Sequence, residues 1–406
     1  MRPVLGRSPW VSRFPKSRIP AYPKYRGTLD LDMAIIGGGL TGSATAYACA
    51  AAGLTVGLFE GDRLGRGATA ASSGWITDDP PCSFAELQAA VGRRAARQAF
   101  QSWRRSAREL AALVRRLDLA CRLEARPTLT VSRTADELER LARERKARVD
   151  AGIDAALISA RQATAAVGFP VSGALKSAHT ATFDPYRACL GLASAAAARG
   201  AHVFERSPVT RTGFAGDRAT LTLDTGEVSA RHVLVATGMP THLFKPIARH
   251  FSIGTRFHVL TAPTSARVRK ALGTRAHVVR DLAAPPHTIA WVDDERVLVE
   301  GGDASEIPAR LLERTIVQRT GQLMYELSTF YPDLSGLQAE YGWSAAIAAT
   351  AHGLPVIGPH RNYPHHLFAI GDAGHGVTAA HLASRIVLRH CLDTAEPADE
   401  AFVFRL

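Results

Sequence analysis

The sequence predicts an α/β protein (α+β overall), in which a Rossmann-like dinucleotide-binding domain with a parallel sheet is joined to a domain built on an antiparallel sheet. Three observations predict it. Residues 32–60 read as strand, glycine turn, small-residue helix, strand and acid, with Gly37, Gly39 and Gly42 in G-x-G-x-x-G spacing and Glu60 eighteen positions after the last glycine. Residues 253–302 alternate apolar and polar side chains in short runs separated by turn residues, the pattern of antiparallel strands. The chain then returns to strand–glycine–helix logic at Leu367–Thr378.

Taken in order, residues 1–30 are rich in Pro, Arg and aromatics, with no apolar h-region and no twin-arginine pair. They predict an extended arm on the protein surface; an Arg-rich, acid-poor start leaves a targeting segment as the other reading. The βαβ unit follows. Gly37 permits a sharp turn out of the strand, Gly39 lets the backbone approach a pyrophosphate, and Gly42 lets the helix lie close to the sheet. The free N–H groups of that helix, starting at Leu40 and Thr41, favour phosphate. An acid at Glu60 suits two ribose hydroxyls and disfavours a 2′-phosphate. The motif alone does not choose between FAD and NAD.

The small residues of 61–75 suit close approach to a ligand. Apolar residues at helical spacing from Phe84 to Leu117 predict one or two surface helices, and Leu119–Val131 reads as strands broken by Pro127. A charged helix over Ala135–Val149 opens with the capping pattern Thr134-x-x-Glu137, and a short strand covers Ile153–Ile158. After Asp184-Pro185 come a helix over Arg187–Arg199, a strand over Ala201–Glu205 and a hairpin turning at Asp224-Thr225-Gly226. The apolar run into Ala236-Thr237-Gly238 predicts a buried parallel strand whose glycine again permits close approach. Strands are expected at Arg256–Thr261, His277–Arg280, Thr288–Val292 and Val297–Glu300, and a helix at Leu311–Tyr331. The resulting division is an arm over 1–30, a discontinuous nucleotide domain over 31–80, 180–245 and 350–406, and a substrate domain with peripheral helices over 81–179 and 246–349.

Composition narrows the function classes. Five cysteines stand far apart in no C-x-x-C or Cys/His pattern, which predicts reduced thiols, a cytoplasmic protein and no metal site. No apolar run is long enough to span a bilayer. The net charge of +12 comes almost entirely from arginines spread along helices with acids interleaved. That reads as solvated helix faces rather than a nucleic-acid surface, with attraction of an anionic substrate as a milder use.

The order of motifs resembles the FAD-dependent amine and amino-acid oxidoreductase superfamily (DAO), which includes D-amino-acid oxidase, glycine oxidase and sarcosine oxidase. The resemblance rests on Gly37/Gly39/Gly42 with Glu60, Gly65-Arg-Gly-Ala-Thr69 with Ser73-Gly74, Asp184-Pro185, and Thr225-Gly226 through Ala236-Thr237-Gly238. It continues with Glu300-Gly301-Gly302, Tyr341-Gly-Trp343, Gly353-Leu-Pro-Val-Ile-Gly358 and Gly374-His-Gly-Val377. Within the superfamily the chain looks most like the gamma-glutamylputrescine oxidase branch.

The resemblance implies non-covalent FAD, since no cysteine follows the Gly-Trp segment where sarcosine oxidases attach flavin. Gly37–Gly42 would hold the pyrophosphate and Glu60 the adenosine ribose, while Gly67, Ala68, Thr69, Ser73 and Gly74 run towards the isoalloxazine. Val209 would contact the adenine, Ala236, Thr237 and Gly238 would approach the cofactor, and Asp372 would bond a ribityl hydroxyl. Gly374, His375, Gly376, Val377 and Thr378 would bring helix N–H groups to the flavin N1–C2=O edge.

The implied chemistry is oxidation of a C–N bond in a small amine or amino acid by hydride transfer to flavin N5, the imine then hydrolysing. Oxygen or a quinone would reoxidise the flavin. His258, Trp291, Trp343 and His375 are the candidate catalytic residues, core packing being the other reading for each tryptophan. An amino-acid oxidase is one alternative, and an FAD-binding subunit of a larger complex another. The run after Trp343, Ser-Ala-Ala-Ile-Ala-Ala, lacks the carboxylate-binding Arg common in amino-acid oxidases. That lowers an α-amino-acid reading unless Arg256 or Arg280 takes the role.

Overall fold

A computed structural model describes residues 3–272 and 275–404. They form two main sheets, of eight and nine strands, and a small three-stranded one. In the eight-stranded sheet the parallel strands His202–Phe204, Val56–Phe59, Gly27–Ile36 and Gly226–Gly238 lie side by side. Gly226–Gly238 starts as one arm of the predicted hairpin, antiparallel to Arg218–Leu223, and ends parallel to Tyr363–Ile370. Its inner residues Val233, Leu234 and Val235 are buried, as a strand flanked on both sides requires.

Helices Leu40–Ala51, Pro185–Ala197 and Gly376–Cys391 cover one face of this sheet. Alanines at 44, 46 and 50 bring the first of them close. Two helices span the segment after Phe84, at Phe84–Val91 and Arg93–Arg116, broken at Gly92 with φ +83°. The longer one turns Phe100, Trp103, Ala107 and Leu110 into the same core as Leu382 and Ile386. It therefore packs against the nucleotide layer and presents its arginines outwards.

The nine-stranded sheet runs Val4–Leu5, Ala339–Ala349, Ser252–Thr261, Arg296–Ser305, Thr288–Val292, Val278–Arg280, Thr128–Ser132, Gly173–Ser177 and Ala156–Ser159. Its centre is antiparallel as expected, but Val278–Arg280 pairs parallel with Thr128–Ser132. Helix Ala309–Phe330 covers its other face through Ile316, Leu323 and Leu327. Thr134, with Glu137 three residues on, forms the capping box that opens Ala135–Asp150.

The arm differs from the extended segment expected over 1–30. The first strand of the nucleotide sheet already begins at Gly27, and a helical turn occupies Pro9–Ser12. Val4–Leu5 joins the nine-stranded sheet, the Trp10 Nε1 donates to the Ser72 carbonyl at 2.8 Å, and the Tyr25 hydroxyl donates to the carbonyls of Gly27 and Glu227. The arm thus touches both sheets. No helix among the described residues is long and apolar enough to cross a membrane.

Candidate functional site

Where the parallel strands end, the backbone is shaped by missing side chains. Gly37 leaves its strand at φ +111°, a conformation L side chains rarely adopt, and an added Cβ would sit 2.6 Å from the Ala236 carbonyl oxygen. A Cβ on Gly42 would collide with the Gly37 carbonyl. The turn and the helix that follows are therefore locked together by the absence of two side chains. Gly38 N donates to Glu60 Oε2 at 2.7 Å and Leu40 N donates to Thr69 Oγ1 at 2.8 Å.

A cleft of about 400 Å³ opens above this turn. Of the residues expected to hold the cofactor, Gly37, Gly39, Leu40, Thr41, Glu60, Gly67, Ala68, Thr69, Val209, Ala236, Thr237, Gly238, Asp372, Gly374, Gly376 and Val377 line it. Gly42 stands behind the wall, as its packing role requires. Ser73, Gly74, His375 and Thr378 are also outside it. Gly74, at φ +75°, is pressed against the Phe183 carbonyl, and the Thr378 hydroxyl is bonded to Thr77, donating to its carbonyl at 2.8 Å. Ser72, Thr241, His242 and Ala345–Ile347 line the cleft without having been singled out from sequence, and Arg256, named from sequence only as a possible carboxylate partner, lines it too.

At the far end the nine-stranded sheet supplies the wall. His258 lines the cleft, with its ring stacked on Trp343 at 5.1 Å and 8°. Trp343 is 2% exposed and spends its indole N–H on the Ala71 carbonyl at 2.9 Å, so it backs His258 and does not itself reach the cleft. Trp291 lies elsewhere, in a small recess with Trp10, Ser73 and Arg122 and with the Arg275 guanidinium 5.7 Å from its ring. The structure therefore does not bring the two tryptophans together as a substrate cage.

Glu300, a residue sequence reasoning quoted only within a motif, is the buried acid of this end. Its Oε2 lies 3.5 Å from His258 Nε2, and it also bonds Ser73. Burial works against the ionised carboxylate, but the bonds from His258 and Ser73 and the Arg256 charge outweigh it and hold the carboxyl well below its usual range. Arg256 is itself clamped by Asp303 through contacts of 2.7, 2.9 and 3.1 Å.

Asp372 accepts from Gly374 N at 2.9 Å and is pushed up by burial. His375 heads helix Gly376–Cys391, with its ring 5.5 Å from Trp75 and its Nε2 3.4 Å from Arg280 Nη1. Burial, then Arg280 and Arg256, push its imidazole down to about 3, so it is neutral near pH 7. Among the described residues, no three His, Cys, Asp or Glu side chains are grouped to hold a metal.

This arrangement fits FAD on structural grounds. The side-chain-free turn, the helix start at Leu40 and the acid at Glu60 form one end of a single cleft, and Asp372, Gly374, Gly376 and His258 stand in the same cleft. A phosphate-bearing chain can lie on the former and a flat ring against the latter.

Comparison with known proteins agrees. The profile of the family described as FAD dependent oxidoreductase (DAO) matches residues 32–389. Gamma-glutamylputrescine oxidoreductase of Escherichia coli (strain K12) is 23% identical over 393 residues, covering 92% of this chain and 86% of that protein. Glycine oxidase of Bacillus licheniformis is 24% identical over 360 residues, covering 86% and 89%. Among solved structures, glycine oxidase from Geobacillus kaustophilus superposes with a TM-score of 0.75 at 19% identity, over 93% of this chain and 99% of that one, which shows a shared fold.

Proposed function

The chain belongs to the FAD-dependent oxidoreductase family (DAO), and from that premise we propose that it oxidises the C–N bond of a small amine. Bound FAD would supply the hydride acceptor for the amine's α-C–H, and the imine left behind would hydrolyse. The observation that carries this reading is the single cleft shared by the glycine turn and by His258 and Arg256 of the nine-stranded sheet. The names of the two curated relatives, an oxidoreductase of an acylated diamine and an oxidase of an amino acid, support a C–N donor. None of the five cysteines lines the cleft, which supports non-covalent FAD.

The chain's own part is to hold and orient. Gly37–Thr41 and Glu60 fix the dinucleotide end. Ser72 and Thr69, pinned from behind by Trp10 and by Leu40 N, shape the middle. His258, held between Trp343 and Glu300, gives the donor a rigid hydrogen-bonding wall. Rigid placement of a C–H over its acceptor and exclusion of water account for such a reaction without a nucleophile. Neutral His375 at the head of the last helix leaves the positive helix end to favour charge that develops on the cofactor ring.

Anaerobic mixing of the flavin-loaded protein with polyamines, N-methylated amines and D- and L-amino acids tests the reading. The flavin colour is expected to bleach with members of one class. If no amine bleaches it while dithionite does, the chain is an electron-carrying subunit and this reading fails. Reoxidation by air against reoxidation by a quinone then distinguishes oxidase from dehydrogenase.

A further inference from the structure

We propose that the chain has a second ligand site, apart from the flavin cleft, in the groove where helices Leu40–Ala51, Arg93–Arg116 and Gly376–Cys391 meet, and that it takes a small organic phosphate. The groove encloses about 350 Å³ and shares no lining residue with the cleft. Each helix lends it one stripe. Ala44, Tyr47, Ala48 and Ala51 come from the first, Glu109, Ala112, Leu113 and Arg116 from the second, and His381, Ser384 and Arg385 from the third. The steps are of three and four residues, so each set lies on one helix face. Alanines at 44, 48, 51 and 112 are what keep the junction open, since larger side chains there would fill it.

The hollow has an apolar floor and a basic rim. Arg116 and Arg385 are both exposed, and neither is paired with an acid among the described residues. Neighbouring arginines are taken: Arg105 by Glu396, and Arg389 by Asp399 and Glu396. Glu109 is the acid of the lining, and its charge also acts on Arg389. Two free guanidinium groups against one shared carboxylate leave the groove positive and suited to an anion.

His381 narrows the choice of anion. It is 4% exposed, and its Nδ1 lies 3.0 Å from Ser106 Oγ, whose hydroxyl donates to the Thr378 carbonyl at 3.3 Å. Both bonds form together only when Nδ1 carries the proton, because the serine has a single one to give. Nε2 is then a bare acceptor, without a partner among the described residues and not sealed off from solvent. Burial, then the Arg385 and Arg116 charges, push the imidazole down to about 3, so it is neutral near pH 7. A fitting ligand therefore has charged oxygens for the arginines and a proton for Nε2. Carboxylates and sulfonates bring only the first. A phosphate monoester, whose second ionisation lies at about pH 6, brings both. The alanine floor and Tyr47 suit an apolar group on the ester oxygen.

Calorimetric titration of the flavin-loaded protein with phenyl phosphate, in two buffers of different ionisation heat, tests this. Saturable binding is expected at about pH 7.5, where the free ligand is mostly a dianion, with net uptake of a proton. The charged and titratable groups around the imidazole are Arg116 and Glu109, Tyr47, and Arg385 of its own helix. Benzenesulfonate and benzoate should bind about tenfold more weakly and without proton uptake. Inorganic phosphate, which lacks the apolar body, should also bind more weakly than phenyl phosphate. Arg116→Gln and Arg385→Gln should each weaken phenyl phosphate about three- to tenfold. Ala112→Leu, which fills the mouth, should abolish binding, and Glu109→Gln should tighten it. All four positions are exposed, so melting temperature and flavin-to-protein ratio should stay native.

Absence of saturable binding, or benzenesulfonate, benzoate or inorganic phosphate binding as tightly as phenyl phosphate, overturns the proposal. Native affinity in the two arginine variants or in Ala112→Leu overturns it as well, because the phosphate is then held elsewhere. None of these measurements uses turnover, so they stand or fall apart from amine oxidation.

Discussion

A single methyl group at position 42 is enough to disrupt the cofactor turn. Gly42→Ala sets a Cβ against the Gly37 carbonyl, and neither backbone can withdraw, because Gly37 is already against Ala236. The expected cost is about 1–3 kcal/mol, typical of overpacking, with purified protein carrying far less FAD than the native chain. A native flavin-to-protein ratio would refute the packing account. Trp343→Phe keeps the ring but leaves the Ala71 carbonyl without its donor. About 1–2 kcal/mol of stability should be lost and FAD should dissociate faster, measured by thermal unfolding and by flavin fluorescence on dilution. Gly37, Gly39 and Glu60 were legible in the sequence because turn, helix start and acid lie within one short stretch. Glu300 was not, because what makes it a site residue is contact with Ser73 and His258 on other elements. The tryptophans marked a pocket by their type alone, and type does not reveal that the Trp343 N–H is already bonded.

Between elements, His287 joins the segment after the Val278–Arg280 strand to helix Ala309–Phe330. Its Nδ1 lies 2.7 Å from Asp281 Oδ2 and its Nε2 2.9 Å from Glu326 Oε2. The Asp281 hydrogen bond raises its pKa; burial opposes this, and the Asp281 and Glu326 charges add to it. A raised folded-state pKa gives stability that is fully present below the unfolded value of about 6.5 and is lost as pH rises through the folded value. The melting temperature of native protein should therefore exceed that of His287→Gln most below about pH 6.5, and the gap should narrow as pH rises through the raised folded-state value. A gap independent of pH would show that packing, not charge, holds the joint. Capping boxes such as Thr134–Glu137 could be read directly from sequence, since both partners lie within one turn. The parallel pairing of Val278–Arg280 with Thr128–Ser132 could not, because alternation gives a strand its faces and not the direction of its neighbour.

Across the whole molecule, the arm is the piece whose role the sequence least disclosed. Composition predicted an extended surface segment; partners more than sixty residues away decide that it is pinned at Ser72, at the Glu227 carbonyl and along the nine-stranded sheet. Deleting residues 1–24 should lower the melting temperature by several degrees, because buried Trp10 alone contributes about 1.5–3 kcal/mol. It should also speed FAD loss, because Ser72 in the cleft wall loses the indole N–H that fixes its carbonyl. Excess FAD should recover part of that stability, about 2.7 kcal/mol at a hundred times its dissociation constant. A truncated protein that melts and holds flavin like the full chain would make the arm a passive tail. The two sheets themselves were legible from alternation and from glycine placement; the packing of Arg93–Arg116 on the nucleotide layer was not, since an apolar helical stripe does not name the surface it will meet.

The two-residue strand Val4–Leu5 has a consequence for solubility as well as for shape. It occupies the outer side of Ala339–Ala349 at Tyr341 and Gly342, the position from which another chain would otherwise pair with this sheet. An edge strand this short offers a poor template, whereas the alanine-rich strand beneath it is long and weakly charged. Losing the first five residues, or fusing a bulky tag to them, should therefore promote edge-to-edge self-association, visible as concentration-dependent growth in light scattering even under conditions where the flavin stays bound.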